Sequence, residues 1–217
     1  MLKQYILIVI FIILVVYFVY KSYISYSEIL YIRSDVDNKL YMIRRGNTKN
    51  EAYLKESANT LAKINKRIVE LVEHLNINFK DHDDKYYFIN KLTKNYNQYI
   101  LSEAAIDSRF TTYTIDKQEM HVCLRTRDTN EKVYNINLLM YVILHELAHL
   151  CNYDRNGFPI HGHGDEFRRI FKFLIIESIK IGIYEYENYY DDPKEYCGIV
   201  ISTTVLPRNE MVYHINK

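Results

Sequence analysis

The chain has 217 residues, 48% hydrophobic and 25% charged, with 28 Lys and Arg against 27 Asp and Glu, the composition of a folded globular protein rather than a disordered one. Six Gly, three Pro and three Cys exclude collagen-like, Pro-rich and disulfide-scaffold classes. A net charge of +1 speaks against a broadly basic surface, so nucleic acid is not an expected partner.

The hydrophobic residues are concentrated at the start. Eighteen of the first twenty residues are apolar or Tyr, and Tyr5 to Tyr20 carries no charge. Sixteen helical residues reach roughly 24 Å, a little short of a ~30 Å hydrocarbon core. The uncharged residues beyond Lys21 extend the span while Lys21 snorkels. Tyr17, Tyr20, Tyr23 and Tyr26 suit an interfacial belt. The rival readings are a cleaved signal peptide and a buried core helix. No small-x-small cleavage site follows the stretch, and it is apolar on every face, so the expectation is an uncleaved anchor over residues 1–21 that meets the lipid bilayer through residues 5–20. From Lys39 to Arg67 there are eight Lys and Arg against two Glu. By the positive-inside rule the rest of a single-pass protein then lies on the cytosolic side. The same basic stretch could contact anionic lipid headgroups or simply be a solvated helix face.

Residues 22–98 read as a helical stalk or N-terminal subdomain. Leu54, Ala58, Leu61, Ile64, Ile68, Leu71 and Leu75 recur at spacings of three and four, which predicts an amphipathic helix over 50–76. A shorter helix is expected over 86–96. The cluster Asp81-His82-Asp83-Asp84 between them reads as a cap or loop rather than a metal site. Residues 111–127 alternate around an Asp-Lys-Gln-Glu turn and read as a β-hairpin. Residues 137–152 predict a strongly apolar helix with Asn135 or Asn137 as N-cap, and 164–181 a further helix opened by acidic residues. Residues 196–206 read as one strand, better placed in the core than at an edge that binds extended peptide. Residues 99–217 therefore read as a mixed unit, and the fold class expected is α+β, helix-rich, with a small β-sheet.

One constellation carries chemistry. His145-Glu146-Leu147-Ala148-His149 is H-E-x-x-H on a helix. An i, i+4 spacing turns about 400°, so both imidazoles emerge on one face, one turn apart, where they can ligate one Zn²⁺ at ~2.0–2.1 Å. Glu146, beside the first ligand, can reach a metal-bound water and act as general base. Composition alone gives about 0.02 chance occurrences of this pattern in such a chain. A catalytic zinc takes three protein ligands and keeps one open position. The loop that follows offers two candidates for the third, His161 and His163.

H-E-L-A-H followed by Gly162-His163-Gly164-Asp165-Glu166-Phe167 resembles the SprT/Spartan and WLM group of zinc metallopeptidases. Cys123-Leu124-Arg125 ahead of the helix is similar to WLM-type proteins encoded by large DNA viruses. The resemblance covers about residues 100–206. It implies a zincin-like domain, His145, His149 and His163 as the zinc ligands, Glu146 as the catalytic base, Phe167 as a packing residue, and a protein or peptide substrate. The apolar N terminus departs from Spartan-type enzymes, which are soluble and act at chromatin. The activity expected is therefore that of a membrane-anchored zinc metalloendopeptidase. The alternative is a catalytically idle membrane or virion structural protein that keeps the fold.

The remaining candidates are weaker. Tyr153, Tyr184 and Tyr186 could stabilise an oxyanion by position alone. His121 reads as an ordinary strand residue, and His74, His82 and His214 as structural or exposed. Cys123, Cys151 and Cys197 lack C-x-x-C spacing, so no Cys zinc site is expected, and three free thiols fit a reducing compartment. Glu185, Glu187, Asp191, Asp192 and Glu195 read as a solvated acidic loop.

Overall fold

The computed structural model describes residues 2–27, 29–46, 51–79, 83–105, 111–154 and 156–206. Asp81, His82 and His214 lie outside them. The described residues form a mixed α/β structure with five α-helices, a five-stranded sheet and a two-stranded one.

Helix α1 (Leu2–Ser27) is exposed at every residue from Gln4 to Tyr23. By length and composition it is long and apolar enough to cross a membrane, a test that a signal sequence also passes. An apolar surface of this size is unfavourable in water, which fits a membrane span or a signal sequence.

Two strands follow that the sequence reading missed. β1 (Ile29–Arg33) and β2 (Leu40–Arg44) form an antiparallel hairpin. Its turn contains Asn38 at φ 60° and is held by Arg33, which donates to the Asn38 carbonyl, and by Asn59, which accepts from Ser34 and the Asp35 amide. The signal was there: Asp35-Val36-Asp37-Asn38 is turn chemistry between two β-branched and aromatic runs. A long basic stretch masked it. Helix α2 (Glu51–Phe79) buries all seven positions of the predicted apolar stripe, and α3 (Asp83–Asn95) follows.

Strand β3 (Leu101–Glu103) lies parallel to β2 and to β5 (Glu119–Val122), and β4 (Tyr113–Ile115) pairs antiparallel with β5. The order is β1-β2-β3-β5-β4, so one sheet joins residues 22–98 to residues 99–206. The hairpin expected over 111–127 is β4–β5, turning through Asp116 and Lys117, both at positive φ. Helix α2 packs on β1, β2 and β3, and α4 (Ile136–Cys151) lies against α2, α3 and α5 (Asp165–Lys180). A single apolar core runs through these layers.

A buried ionic cluster clamps the sheet. Arg125 is fully buried; its Nε donates to Glu103 Oε1 at 2.7 Å and its Nη1 lies 3.5 Å from Glu131. Arg44 pairs with the same Glu131 at 3.5 Å, and its backbone amide donates to Glu103. Two arginines and two glutamates thus compensate one another across β2, β3 and the segment after β5.

The predicted strand over 196–206 is not a single strand. The chain forms a hairpin, β6 (Lys194–Tyr196) and β7 (Ile199–Ile201), which turns at Cys197 and Gly198 with φ of 50° and 85°. Cys197 is joined to Cys123 by a disulfide across 74 positions of sequence, and Cys151 is the free, buried thiol. The reading of three free thiols is thereby corrected: spacing along the chain says nothing about two cysteines that tertiary folding brings together.

Candidate metal centre

Helix α4 sets the site. Asn135 caps it by accepting from the Asn137 amide at 2.7 Å. One face of α4 is committed to the core through Leu139, Ile143, Leu144, Leu147 and Leu150, while His145 and His149 stay half-buried on the cleft side. Their ring centroids are 4.9 Å apart, as one helical turn requires. The loop after α4 turns through Gly162 at φ 80°, a conformation only glycine adopts at ease, and this swings His163 back over the helix.

The result is convergence on one point. His163 Nε2 lies 3.0 Å from His149 Nε2 and 3.0 Å from His145 Nε2, and a ligand atom from each of the three rings lies within 4.8 Å of the others. Three nitrogens at ~2.0–2.1 Å around one ion sit at about this mutual separation. A single N–H on His163 could at best be shared between two acceptors, whereas a cation at the centre engages all three lone pairs. The donor set therefore fits a divalent metal with one position left over. His161 lines the same cleft but stands outside this convergence.

Phe167 is the platform for all three rings. It is buried at the start of α5, with centroids 4.9, 4.2 and 4.8 Å from His145, His149 and His163. Burial, reinforced by the neighbouring imidazole of His163, holds His145 down at about 4. Burial, with the charges of His145, His163, Lys117 and His161 behind it, holds His149 at about 3. Both rings are therefore neutral near pH 7, the state that ligation needs.

Glu146 lines the same cleft, on the side of α4 that meets strand β4. Thr114 Oγ1, on the outermost strand β4, donates to its Oε2 at 2.7 Å. Burial raises the carboxyl to about 7, against the pull of that hydrogen bond. Lys117, at the β4–β5 turn, donates to the His149 carbonyl and, at 2.9 Å, to the Asn152 carbonyl, so it caps the C-terminal end of α4. Neither Thr114 nor Lys117 was singled out from sequence. Only the period-2 alternation of the hairpin hints that Thr114 faces α4.

The cleft above these residues has a volume of about 1300 Å³. Its lining includes Thr112, Tyr113, Thr114, Asp116 and Lys117 and the segment from Ile199 to Val205, whose Thr203 carbonyl accepts from Tyr141 Oη at 3.1 Å. Of the three tyrosines considered for an oxyanion, Tyr153 lines the cleft. Its hydroxyl accepts from Asn95, and its ring lies 4.5 Å from the ammonium groups of both Lys91 and Lys117. Tyr184 is buried against Tyr141, and the Tyr186 hydroxyl is buried away from the cleft lining. His121 is bound to Ser102 and Glu119 and stacks on Tyr113, beneath the cleft wall rather than in it. His74 pairs with Glu177 at 2.8 Å. Cys151 donates to the Leu147 carbonyl at 3.0 Å within its own helix, and burial pushes its thiol up to about 12, so it stays protonated. In the acidic stretch, Glu187 accepts from Asn137 and Glu195 from Tyr134.

No family model and no solved structure matches the chain. It is similar to an uncharacterized protein, R325, of Acanthamoeba polyphaga mimivirus, 38% identical over 181 residues that cover 83% of this chain and 86% of that protein. It is also similar to uncharacterized protein 042R of Invertebrate iridescent virus 3, 37% identical over 89 residues, 41% of this chain and 50% of the relative. A third relative is uncharacterized protein 136R of Invertebrate iridescent virus 6, 29% identical over 103 residues, 46% of this chain and 53% of the relative. The match spans about half the length of the two iridescent virus proteins.

Proposed function

The chain belongs to the family of the mimivirus protein R325, and we propose that it is a membrane-anchored, zinc-dependent metallopeptidase of the WLM/SprT-like kind. The observation that carries this reading is the convergence of His145, His149 and His163 beside the buried carboxylate of Glu146, on the floor of a cleft. A bound zinc would supply Lewis acidity, polarising a scissile carbonyl and acidifying water.

The chain's own residues account for the rest. His145, His149 and His163 would hold the ion. Glu146, with a carboxyl poised at about 7, can take a proton and return it to a leaving amine at neutral pH. Thr114 fixes the orientation of that carboxylate. Strand β4 ends the sheet among the described residues and lines the cleft beside α4, so an extended polypeptide would lie alongside it. Tyr153 uses its oxygen to accept from Asn95, which leaves its own O–H to donate toward developing charge in the cleft. Helix α1 would span the bilayer. The positive charges after it would favour the cytosolic side by the positive-inside rule, whereas the Cys123–Cys197 disulfide favours an oxidising one.

The test uses the full chain in lipid nanodiscs. The expected result is about one zinc per chain by elemental analysis and cleavage of an unfolded casein reporter. Glu146→Gln should keep the metal and lose cleavage. Zinc-loaded protein that cuts no faster than Glu146→Gln overturns the enzymatic reading in favour of a structural protein with the same fold.

A further inference from the structure

Chain connectivity places the cleft close to the bilayer. Helix α1 runs to Ser27 and β1 begins at Ile29, so Glu28 alone separates them in the chain. The apolar window ends at Tyr23, and the four further helical residues rise only ~6 Å. Among the described residues, the basic stretch folds back into β2 and α2, inside the sheet and core, rather than extending the chain away from α1.

The sheet then sets a limit on reach. Strand β1, tied to α1, is at one end of the order and β4, which forms a wall of the cleft, is at the other. Four inter-strand spacings of ~4.8 Å separate them, about 19 Å. Even with the sheet standing upright on the membrane, the helical rise and the width of the sheet put the cleft wall about 25 Å from the headgroups.

The hairpin next to α1 has the surface such a seat requires. Ile29, Tyr31 and Leu40 are 38%, 66% and 53% exposed. The register Ile29↔Arg44, Tyr31↔Met42, Arg33↔Leu40 puts them on one face together with Arg33. An exposed apolar and aromatic face with a cation, continuous with a helix able to span a membrane, is an interfacial surface.

We propose that the folded domain is seated directly on the bilayer through the β1–β2 hairpin, so that its cleft acts on polypeptide held at the same membrane surface. This deepens the membrane-anchored peptidase reading and rests on it. A substrate free in solution gains nothing from the anchor. One confined to the same surface meets the cleft at a raised effective concentration, which falls as a rigid spacer lifts it beyond reach.

Two measurements on the full chain in nanodiscs test this. Ser202 is exposed on the cleft wall. The native cysteines are either in the disulfide or buried, so Ser202→Cys offers an accessible thiol for a donor dye. Energy transfer to headgroup-labelled lipid should give a distance below about 40 Å. A distance above about 60 Å, or a chain that does not stay with the bilayer, overturns the seat. In the second measurement, the casein reporter is coupled to lipid through helical spacers of ~1.5 Å per residue. Cleavage should fall at least tenfold between a short spacer and one of about 60 Å. Equal rates at every spacer length overturn the membrane-surface substrate and leave the peptidase reading standing. No cleavage of either tethered or free reporter by zinc-loaded protein overturns both.

Discussion

Thr114 Oγ1 donates a 2.7 Å hydrogen bond to Oε2 of Glu146, and this contact ties the outermost strand of the sheet to the helix that carries H-E-x-x-H. A buried carboxylate with one fixed oxygen has one orientation; without the bond it has several. Thr114→Val should lower kcat about tenfold, since a hydrogen bond to a charged group contributes about 1.5 kcal/mol. Zinc content should be unchanged and Thr114→Ser should restore most of the rate. Loss of metal in Thr114→Val would show that the contact holds the helix rather than the base.

The three-histidine convergence separates His163 from its neighbour. His163→Ala removes the nitrogen that lies 3.0 Å from both partners and should abolish stoichiometric zinc after dialysis. His161→Ala should retain it. Zinc at about a thousand times its Kd stabilises the folded chain by about 4 kcal/mol, so chelation should lower the Tm by on the order of 10 °C. An unchanged Tm on chelation would mean that the three histidines hold no stabilising metal, and metal lost only in His161→Ala would reassign the third ligand.

The parts legible in the sequence are those that local periodicity encodes. The stripe from Leu54 to Leu75 fixed α2 because tertiary packing agrees with a 3.6-residue period. His145 and His149 are neighbours by helix geometry alone, and a glycine on each side of His163 marks a loop able to return. What was not legible depends on pairing across long separations. Met42 pairs with Ser102 to bring the N-terminal hairpin into the sheet. Cys123 meets Cys197. Thr114 meets Glu146 across 32 positions. Short strands of three to five residues carry too little period-2 signal to reveal such partners.

Lys117 caps the end of the helix that carries His145 and His149, through the carbonyls of His149 and Asn152. The cap fixes the backbone of His149, one of the three proposed ligands, without lying among their ring nitrogens. Lys117→Met keeps the stem over Tyr153 and deletes the donor. It should weaken zinc binding about tenfold by competition against a chelator, the equivalent of one charge-assisted hydrogen bond. Lys117→Arg should recover part of the loss. Equal zinc affinity in the Met variant would reduce Lys117 to a surface residue of the cleft.

The buried cluster of Arg44, Glu103, Arg125 and Glu131 makes a sharper demand on stability. Burial pushes the Glu103 carboxyl up, and Arg125 and Arg44 pull it back. Arg125→Met takes from Glu103 and Glu131 the fully buried cation they share. Breaking a buried pair in this way costs about 3–5 kcal/mol, which should lower the Tm by on the order of 10 °C. The double variant Arg125→Met with Glu103→Gln should be less destabilised than the sum of the two single changes, as a thermal double-mutant cycle would report. Additive losses would mean that the two side chains do not act as a pair.

The disulfide between Cys123 and Cys197 bears on both the cleft and the membrane side. It joins the end of β5 to the β6–β7 turn, and the chain beyond that turn forms a cleft wall from Ile199 to Val205. Tyr196 adds a hydrogen bond to the Cys123 carbonyl at 2.9 Å, and Tyr134 accepts from the Cys197 amide at 2.8 Å. Closing a loop of this length stabilises by about 4 kcal/mol in the chain-entropy account. Cys123→Ser should therefore lower the Tm and, by loosening the wall, raise KM several-fold while leaving kcat within about twofold. The same bond reports orientation. In infected cells a non-reducing gel, paired with protease protection of intact membranes, should find the oxidised form on a protected, oxidising side. A chain that is fully reduced and digested from the cytosolic face would restore the orientation that its positive charges specify.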